Sequence, residues 1–122
     1  REKMEEYKKV IDKSPYKIGL IHGDLRGSNI LLSEGDISLI DWADSRLDII
    51  SCDIAQLFYL LDFNQLQEHA FLKKYQEDFV TNDIIIMHKI LLSLYDIVWG
   101  DFTGKTVKES GVERLEQLLA IN

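Results

Sequence analysis

Two short polar segments, set among apolar runs, carry the side chains of this 122-residue chain that could do chemistry. Residues 22–29 read HGDLRGSN, and residues 40–44 read IDWAD. Phosphoryl transfer uses one carboxylate to accept the proton of an attacking hydroxyl, and Asp24 is the candidate for that role. It also uses oxygen ligands for the magnesium ion that bridges the nucleotide phosphates, which Asn29 and Asp41 can supply.

Each of these residues also has an ordinary structural interpretation. His22 lies beside a predicted strand and is typical of a hydrogen-bonded structural histidine, which is the role we favour. Asp24 alone would cap a turn, and Asn29 alone would be a turn residue. Asp41 could simply mark the point where a strand reaches solvent. The four residue types in this order and spacing are hard to obtain by chance, so together they favour the catalytic interpretation.

The sequence HGDLRGSNILL, followed by ISLIDWADSRLDIISCDIAQLF, resembles the aminoglycoside phosphotransferase and choline kinase family. These proteins are small-molecule kinases related in fold to protein kinases. The similarity covers residues 20–61, about a third of the chain. The glycine after His22 and the tryptophan after Asp41 separate it from the His-Arg-Asp and Asp-Phe-Gly motifs of protein kinases.

The resemblance implies a role for each matching residue. Asp24 would be the catalytic base, or would orient the substrate hydroxyl, and Asn29 and Asp41 would be the magnesium ligands. His22 and Asp53 would support the catalytic loop, Asp53 through hydrogen bonds to its backbone. The expected cofactors are Mg²⁺ and ATP or GTP, and the expected acceptor is a hydroxyl group of a small molecule such as an aminoglycoside or choline.

A second set of residues could lie on the substrate side of the site: Asp44, Asp48, Asp96 and Trp99. For Asp44 and Asp48 the simpler interpretation is a solvated loop carboxylate. For the other two we favour a core tryptophan and a helix-end surface aspartate over an acidic and aromatic pocket for a cation.

The sequence departs from the family pattern at several positions. Arg26 stands where many members have histidine. Leu47 and Ile49 flank Asp48 where glycine and proline are common. The glycine-rich phosphate loop and the strand lysine of the family are missing, so we expect an amino-terminal lobe to precede Arg1.

Hydrophobic periodicity predicts the elements that position these segments. An opening helix with Met4, Tyr7, Val10 and Ile11 on one face should end near Ser14, before Pro15. A strand is predicted over 16–21, a hairpin over 29–32 and 37–42, and loops over 22–28 and 43–50.

Helices are predicted for the rest of the chain. The first is capped by Ser51, and the second covers 65–79. The third runs from a cap at residues 81–83 to Trp99. A break follows over 100–104, and the capping-box spacing of Ser110 and Glu113 places the start of the last helix late.

The fold class predicted from these elements and the resemblance is α+β and mainly helical. Residues 1–122 would form the carboxy-terminal lobe of a protein-kinase-like fold, in which a short strand and hairpin carry the catalytic and metal loops. Those loops would lie in residues 20–48, and a helical subdomain would cover 51–122.

Composition excludes several classes of function. The net charge of −7, from 14 basic and 21 acidic residues, argues against a general nucleic-acid binder. Cys52 is the single cysteine, so an internal disulfide and a cysteine zinc site are excluded, and a reducing, cytoplasmic location is expected. The apolar run over 84–99 is shorter than a bilayer requires, so we predict no membrane partner.

Two other functions are compatible with parts of the sequence. The same lobe could be a non-catalytic binding or regulatory module, although the intact set of Asp24, Asn29 and Asp41 argues against a decayed site. A metal-dependent phosphoesterase would need further histidine ligands. His69 and His88 are the other histidines, and both are predicted in helices away from the loops.

Overall fold

Five α-helices, one 3₁₀ turn at Gly27–Asn29 and four short strands lie in the part of the chain that the computed structural model describes. This part is residues 2–120 without the side chains of Lys3, Met4, Tyr7, Val10, Ile11 and Lys105. The predicted α+β, mainly helical class is confirmed. In chain order the elements are α1 Glu2–Lys13, β1 Ile18–Ile21, β2 Ile30–Ser33, β3 Asp36–Leu39, β4 Arg46–Ile49, α2 Ser51–Leu60, α3 Gln65–Tyr75, α4 Asn82–Thr103 and α5 Lys105–Ala120.

The opening helix is confirmed as α1, which ends just before Ser14 and Pro15. The apolar side chains predicted to form one face of this helix, at positions 4, 7, 10 and 11, lie outside the described part of the structure.

The predicted hairpin is β2 paired antiparallel with β3. Its two-residue turn has positive φ at both positions, 50° at Glu34 and 93° at Gly35, which is the turn that matches the twist of a tight hairpin. β3 ends at Leu39 rather than at Trp42. The backbone leaves the extended conformation at Asp41, where φ is 58°.

The prediction of a loop over 43–50 is wrong, because β4 forms within it and pairs antiparallel with β1. The alternation of polar and apolar residues from Arg46 to Ile49 is a strand signal. In this register Leu20 lies opposite Leu47, and Ile18 lies opposite Ile49.

Each strand pair leaves one apolar face uncovered within the described residues. On β1–β4, Leu20 and Leu47 are 65% and 76% exposed, and on β2–β3, Leu32 and Ile37 are 76% and 68% exposed. Residues opposite each other in an antiparallel pair share a face. We call these two surfaces the ribbon faces.

The core lies in the helical part, around α2. Ile54, Ala55 and Phe58 of α2 are buried against Ile85 of α4. The ring of Phe58 lies 5.2 Å from that of Phe63 and 5.2 Å from that of Phe71. Burial of these side chains, at about 25 cal/mol per Å² of apolar area, stabilises the packing of α2, to which the first polar segment is hydrogen-bonded.

The helix boundaries differ from the prediction where tertiary contacts decide them. α3 ends at Tyr75 rather than Phe79, because Gln76 adopts a left-handed conformation and its N–H caps the Leu72 carbonyl. Ser51 does not cap α2: no side-chain cap bond forms there, and its hydroxyl lies 3.4 Å from His88 Nε2. Thr81 does cap α4, accepting from the Ile84 N–H at 3.4 Å.

The predicted break over 100–104 is confined to Gly104, and the prediction that the last helix starts late is wrong. α4 continues to Thr103, and α5 begins at Lys105. Gly100 is the point of closest approach between them, since a Cβ there would meet the Lys108 backbone N at 2.5 Å. The glycine therefore serves helix packing rather than helix termination, and Ser110 lies inside α5.

Candidate active site

The first polar segment is anchored to the first turn of α2 by Asp53. Its Oδ2 accepts from the His22 N–H at 2.7 Å, and its Oδ1 accepts from the Gly23 N–H at 2.9 Å. A carboxylate near the amino terminus of a helix is also favoured by the helix dipole. The geometry is that of a residue bracing a loop through its backbone.

His22 connects the two polar segments. Its side chain is buried, and Nδ1 accepts from the Asp24 N–H at 3.2 Å. Nε2 must therefore carry the ring proton, which it donates to the Ile40 carbonyl at 2.8 Å. The ring also lies 4.7 Å from the Trp42 ring. These contacts match a structural histidine.

Asp24 and Asn29 are in direct contact. The Asn29 Nδ2 donates to Asp24 Oδ2 at 3.0 Å and to the Asp24 carbonyl at 2.9 Å. The other carboxylate oxygen of Asp24, Oδ1, accepts from Arg26 Nε at 2.7 Å. Asp24 keeps 18% of its side chain exposed, so the carboxylate is oriented by its neighbours and still reachable from solvent.

The second polar segment runs beside Asn29. The Ile40 N–H donates to the Asn29 carbonyl at 3.0 Å, so Asp41 directly follows the point where the two segments meet. Asp41 is exposed and has a φ of 58°, in the left-handed region that costs a non-glycine residue energy. Strain of this kind is typical of positions where the chain places a functional side chain.

The donor set around Asn29 and Asp41 fits a magnesium ion. Both hydrogen bonds of the Asn29 side chain use its amide nitrogen, which leaves the amide oxygen outside them. That oxygen and an exposed carboxylate are hard ligands of the kind magnesium takes, with water or phosphate oxygens completing the shell. Among residues 2–120 no group of three or more His, Cys, Asp and Glu side chains could hold a metal ion.

Gly23 allows the two segments to approach each other. Its φ is 83°, and a Cβ there would meet the Asp44 carbonyl oxygen at 2.5 Å. That carbonyl also accepts from Arg46 Nη1 at 3.3 Å. Asp44 thus contributes its backbone to the contact, and its exposed side chain stays a substrate-side candidate.

Asp48 is not the solvated loop carboxylate of the simpler interpretation. It lies on β4, accepts from the Ile49 N–H at 2.8 Å and from Arg46 Nε at 3.0 Å. These contacts, chiefly the backbone hydrogen bond and then Arg46, lower the pKa of the Asp48 carboxyl against the opposing effect of burial. Asp48 is therefore a charged, structurally bound group.

Asp48 shares a cavity of about 340 Å³ with Gly23, Asp53, Cys52 and His88. The prediction that His88 lies away from the loops is wrong, because α4 brings it to the start of α2. Cys52 Sγ lies 3.4 Å from His88 Nε2. Burial raises the pKa of the Cys52 thiol to about 12 and lowers that of His88, so the pair is neutral and is no thiolate nucleophile.

A larger cleft of about 590 Å³ lies elsewhere, between Phe58, Glu68, Lys89 and Arg114. No residue of the two polar segments lines it, so the candidate site does not coincide with the larger cleft.

The favoured interpretations of Asp96 and Trp99 are wrong. Asp96 is not at a helix end, because α4 continues beyond it, and it accepts from the Tyr59 hydroxyl at 2.7 Å. Trp99 is not core: it is 49% exposed, and its ring lies 6.0 Å from that of Tyr95 in a stacked arrangement. An aromatic pair facing solvent is compatible with the substrate-side interpretation.

Sequence reasoning missed Gln56. Its Oε1 accepts from the Leu25 N–H at 2.8 Å, and its Nε2 donates to the Gly23 carbonyl at 3.0 Å. The available signal was its spacing: Gln56 lies three residues after Asp53, on the same face of α2.

Comparison with known proteins gives one family and several solved structures with the same fold. The model of the phosphotransferase enzyme family (APH) matches residues 1–82. The choline kinase LicA from Streptococcus pneumoniae is 26% identical, with a TM-score of 0.70 over 95% of this chain and 43% of that chain. Comparison with curated protein sequences gives no match.

Two further solved structures share the fold. A choline/ethanolamine kinase family protein from Mesorhizobium loti is 16% identical, with a TM-score of 0.76 over 98% of this chain and 44% of that chain. The aminoglycoside phosphotransferase APH(4)-Ia, in a complex with ADP and hygromycin B, is 17% identical, with a TM-score of 0.69 over 94% of this chain and 40% of that chain. The chain therefore spans less than half the length of these proteins.

These structures confirm the kinase-like fold class. No helix between residues 2 and 120 combines the length and the apolarity that a membrane crossing demands.

Proposed function

The chain belongs to the phosphotransferase enzyme family, as its resemblance predicted, and we propose that it is the catalytic part of a kinase that phosphorylates a hydroxyl group of a small molecule. The observation that carries the proposal is the contact of Asp24 with Asn29, 3.0 Å apart, at the point where the Asn29 carbonyl binds the segment that leads into Asp41. The candidate base and the two candidate oxygen ligands are thus linked by hydrogen bonds between the two polar segments.

The residues would divide the work of phosphoryl transfer. Asp24 would accept a hydrogen bond from the acceptor hydroxyl and take its proton as the phosphorus–oxygen bond forms. Asn29 and Asp41 would hold magnesium, which would supply positive charge to offset that of the nucleotide phosphates. His22 and Asp53 would hold residues 22–29, which we call the base loop, in place through the ring contact to Ile40 and the two carboxylate bonds.

We propose ATP or GTP as the phosphate donor. LicA has been solved with AMP, and APH(4)-Ia with ADP and with AMP-PNP, which supports a nucleotide site in this family. The acceptor would be choline, an aminoglycoside or a related compound. Asp44 and Asp48, with Asp96 and Trp99, stay the substrate-side candidates, and a cytoplasmic location stays a prediction.

An amino-terminal lobe of the same polypeptide would complete the enzyme. The chain covers 43% of the length of LicA, which leaves room for such a lobe in a protein of that size. The ribbon faces support this partner as well, because Leu20, Leu32 and Leu47 are each more than half exposed. Apolar surfaces of this kind usually pack against another element.

A phosphate-transfer assay on the protein with both lobes tests the proposed function. We would incubate it with magnesium, γ-labelled ATP or GTP, and single acceptors that include choline and hygromycin B. We expect transfer to one acceptor class, abolished by EDTA and by Asp24→Asn. Binding of nucleotide without transfer to any hydroxyl acceptor would favour the non-catalytic module instead.

A further inference from the structure

The side chain of Gln56 binds the backbone on both sides of Asp24. Its carbonyl oxygen accepts from the Leu25 N–H at 2.8 Å, and its amide nitrogen donates to the Gly23 carbonyl at 3.0 Å. One planar amide therefore holds the peptide groups that precede and follow the proposed base. Gln56 itself makes no hydrogen bond to the Asp24 carboxylate among the described residues.

Gln56 continues a row of contacts that starts at Asp53. Asp53 holds the N–H groups of His22 and Gly23, and Gln56 holds the Gly23 carbonyl and the Leu25 N–H. Since the two side chains lie three residues apart on one helix, their acceptors and donors are fixed relative to each other. These bonds fix the position of the base loop relative to α2, and the opposite side of α2 packs in the buried core.

We infer that Gln56 is a positioning residue, which sets the orientation of the Asp24 carboxylate by fixing the two peptide planes beside it. The inference rests on the proposed function. In phosphoryl transfer most of the rate comes from positioning, and displacement of a reacting group by about 1 Å can cost about 100-fold in rate. A side chain that touches neither substrate nor metal can therefore control turnover.

The chemistry of the position explains why an amide serves here. One side chain must present an acceptor to Leu25 and a donor to Gly23, which a neutral amide does and a carboxylate does not. A glutamate would keep the first bond, lose the second and add a charge near Asp53. Protonation of that glutamate would restore a donor and an acceptor together.

Steady-state kinetics on Gln56→Leu and Gln56→Glu in the protein with both lobes tests the inference, with Gln117→Leu on the exposed side of α5 as the matched control. We expect kcat to fall by about 10- to 100-fold in both Gln56 variants, with KM for nucleotide changed far less. The control should keep the wild-type values.

The pH profile separates positioning from a general loss of structure. The kcat of Gln56→Glu, relative to wild type, should rise as pH falls toward the range where a glutamate takes up a proton, about 4.3 when unperturbed. Gln56→Leu should show no such recovery. Gln56→Glu keeps one of the two bonds, so it preserves the test if the leucine variant does not fold.

The outcomes distinguish the two proposals. Wild-type protein without any phosphate transfer counts against the proposed function and removes the positioning role with it. An active wild type whose folded Gln56 variants keep kcat within twofold, or a Gln56→Glu variant whose deficit is constant with pH, overturns only the role of Gln56.

Discussion

At the scale of single residues, the two oxygens of Asp24 have different neighbours. Oδ2 is held by the buried amide of Asn29, whereas Oδ1 is paired with Arg26, whose side chain is 59% exposed. An exposed guanidinium can swing away at little cost. Under the proposed function, Oδ1 would be the oxygen that an acceptor hydroxyl reaches, and Oδ2 the one that sets the orientation of the carboxylate.

Replacing the two carboxylates should have different kinetic effects. Asp24→Asn removes the proton acceptor, so we expect kcat to fall by about 100-fold or more while KM for nucleotide changes little. Asp41→Asn weakens a metal ligand, so the magnesium requirement and KM for nucleotide should rise. Steady-state kinetics over a range of magnesium concentrations measures both, and equal, small effects would contradict the assignment.

The structural roles of single residues were less visible in the sequence than their chemistry. The types and spacing of Asp24, Asn29 and Asp41 were enough to suggest phosphoryl transfer. The contact between Cys52 and His88, by contrast, joins residues 36 positions apart, and no local pattern encodes such a pair. It depends on how α4 crosses α2.

At the scale of elements, α2 organises the site. Its first turn holds the base loop through Asp53, and its other side forms the core with Ile54, Ala55 and Phe58. Site and core thus share one helix. Damage to the packing of α2 should disturb catalysis, and damage to the loop contacts should destabilise the fold.

Asp53→Ala should therefore destabilise the protein markedly. The variant leaves the His22 and Gly23 N–H groups without their charged acceptor, and hydrogen bonds to charged groups are worth about 1.5–3 kcal/mol each. We expect the free energy of unfolding to fall by at least about 2 kcal/mol in urea denaturation.

Arg26→Gln is the matched control, since it also removes a hydrogen-bonded charge from the same loop. Its ion pair with Asp24 involves an exposed side chain, so the loss should stay below about 1 kcal/mol. A larger loss for Arg26→Gln than for Asp53→Ala would show that α2 does not anchor the loop.

His88 should make the packing of α4 on α2 sensitive to acid. Burial lowers its pKa, against the opposing effect of Asp48, so the folded protein holds the ring neutral while the unfolded chain protonates it near 6.5. The contribution to stability is full above that pH and is lost as pH falls below it. Urea midpoints between pH 7.5 and 5 measure the loss.

His88→Gln should reduce this acid sensitivity, and His69→Gln, on the exposed surface of α3, should not. An unchanged loss of stability in the His88 variant would show that other groups cause it.

The ends of the helices and strands show which features of the fold are encoded by the local sequence. Thr81 caps α4 and Pro15 follows α1 as predicted, because caps and proline act through neighbouring backbone. Gly100 was predicted to interrupt the helix, yet it lies inside α4. A glycine is required there because α5 packs so closely that a side chain would clash with it. β4 formed where a loop was expected because β1 offers it a partner.

At the scale of the whole molecule, the proposed function would make the chain one side of a reaction site. Residues 22–25 are hydrogen-bonded to α2, and the Asn29 carbonyl accepts from the Ile40 N–H, next to Asp41. The chain spans 43% of the length of LicA and is strongly acidic, with a net charge of −7. A nucleoside triphosphate that binds so acidic a chain would need cations to offset its charge, and we propose that magnesium and the amino-terminal lobe supply them.

The 122 residues alone should therefore lack measurable kinase activity with magnesium and ATP. The donor phosphate and the acceptor hydroxyl would not be positioned relative to each other, so the large contribution of proximity and orientation to the reaction rate would be lost. A transfer assay on this chain beside the protein with both lobes measures the difference. Substantial turnover by the chain alone would contradict our placement of the nucleotide between two lobes.

The ribbon faces have a practical consequence for work with the isolated chain. Both described sheets have only two strands, so every strand is an edge with unpaired backbone groups along one side. Exposed leucine and isoleucine side chains on such edges favour strand addition between copies and, at high concentration, aggregation. Leu47→Lys or Leu32→Lys would place a charge on these surfaces without disturbing the core. Either substitution should extend the range of concentrations at which the chain stays in solution.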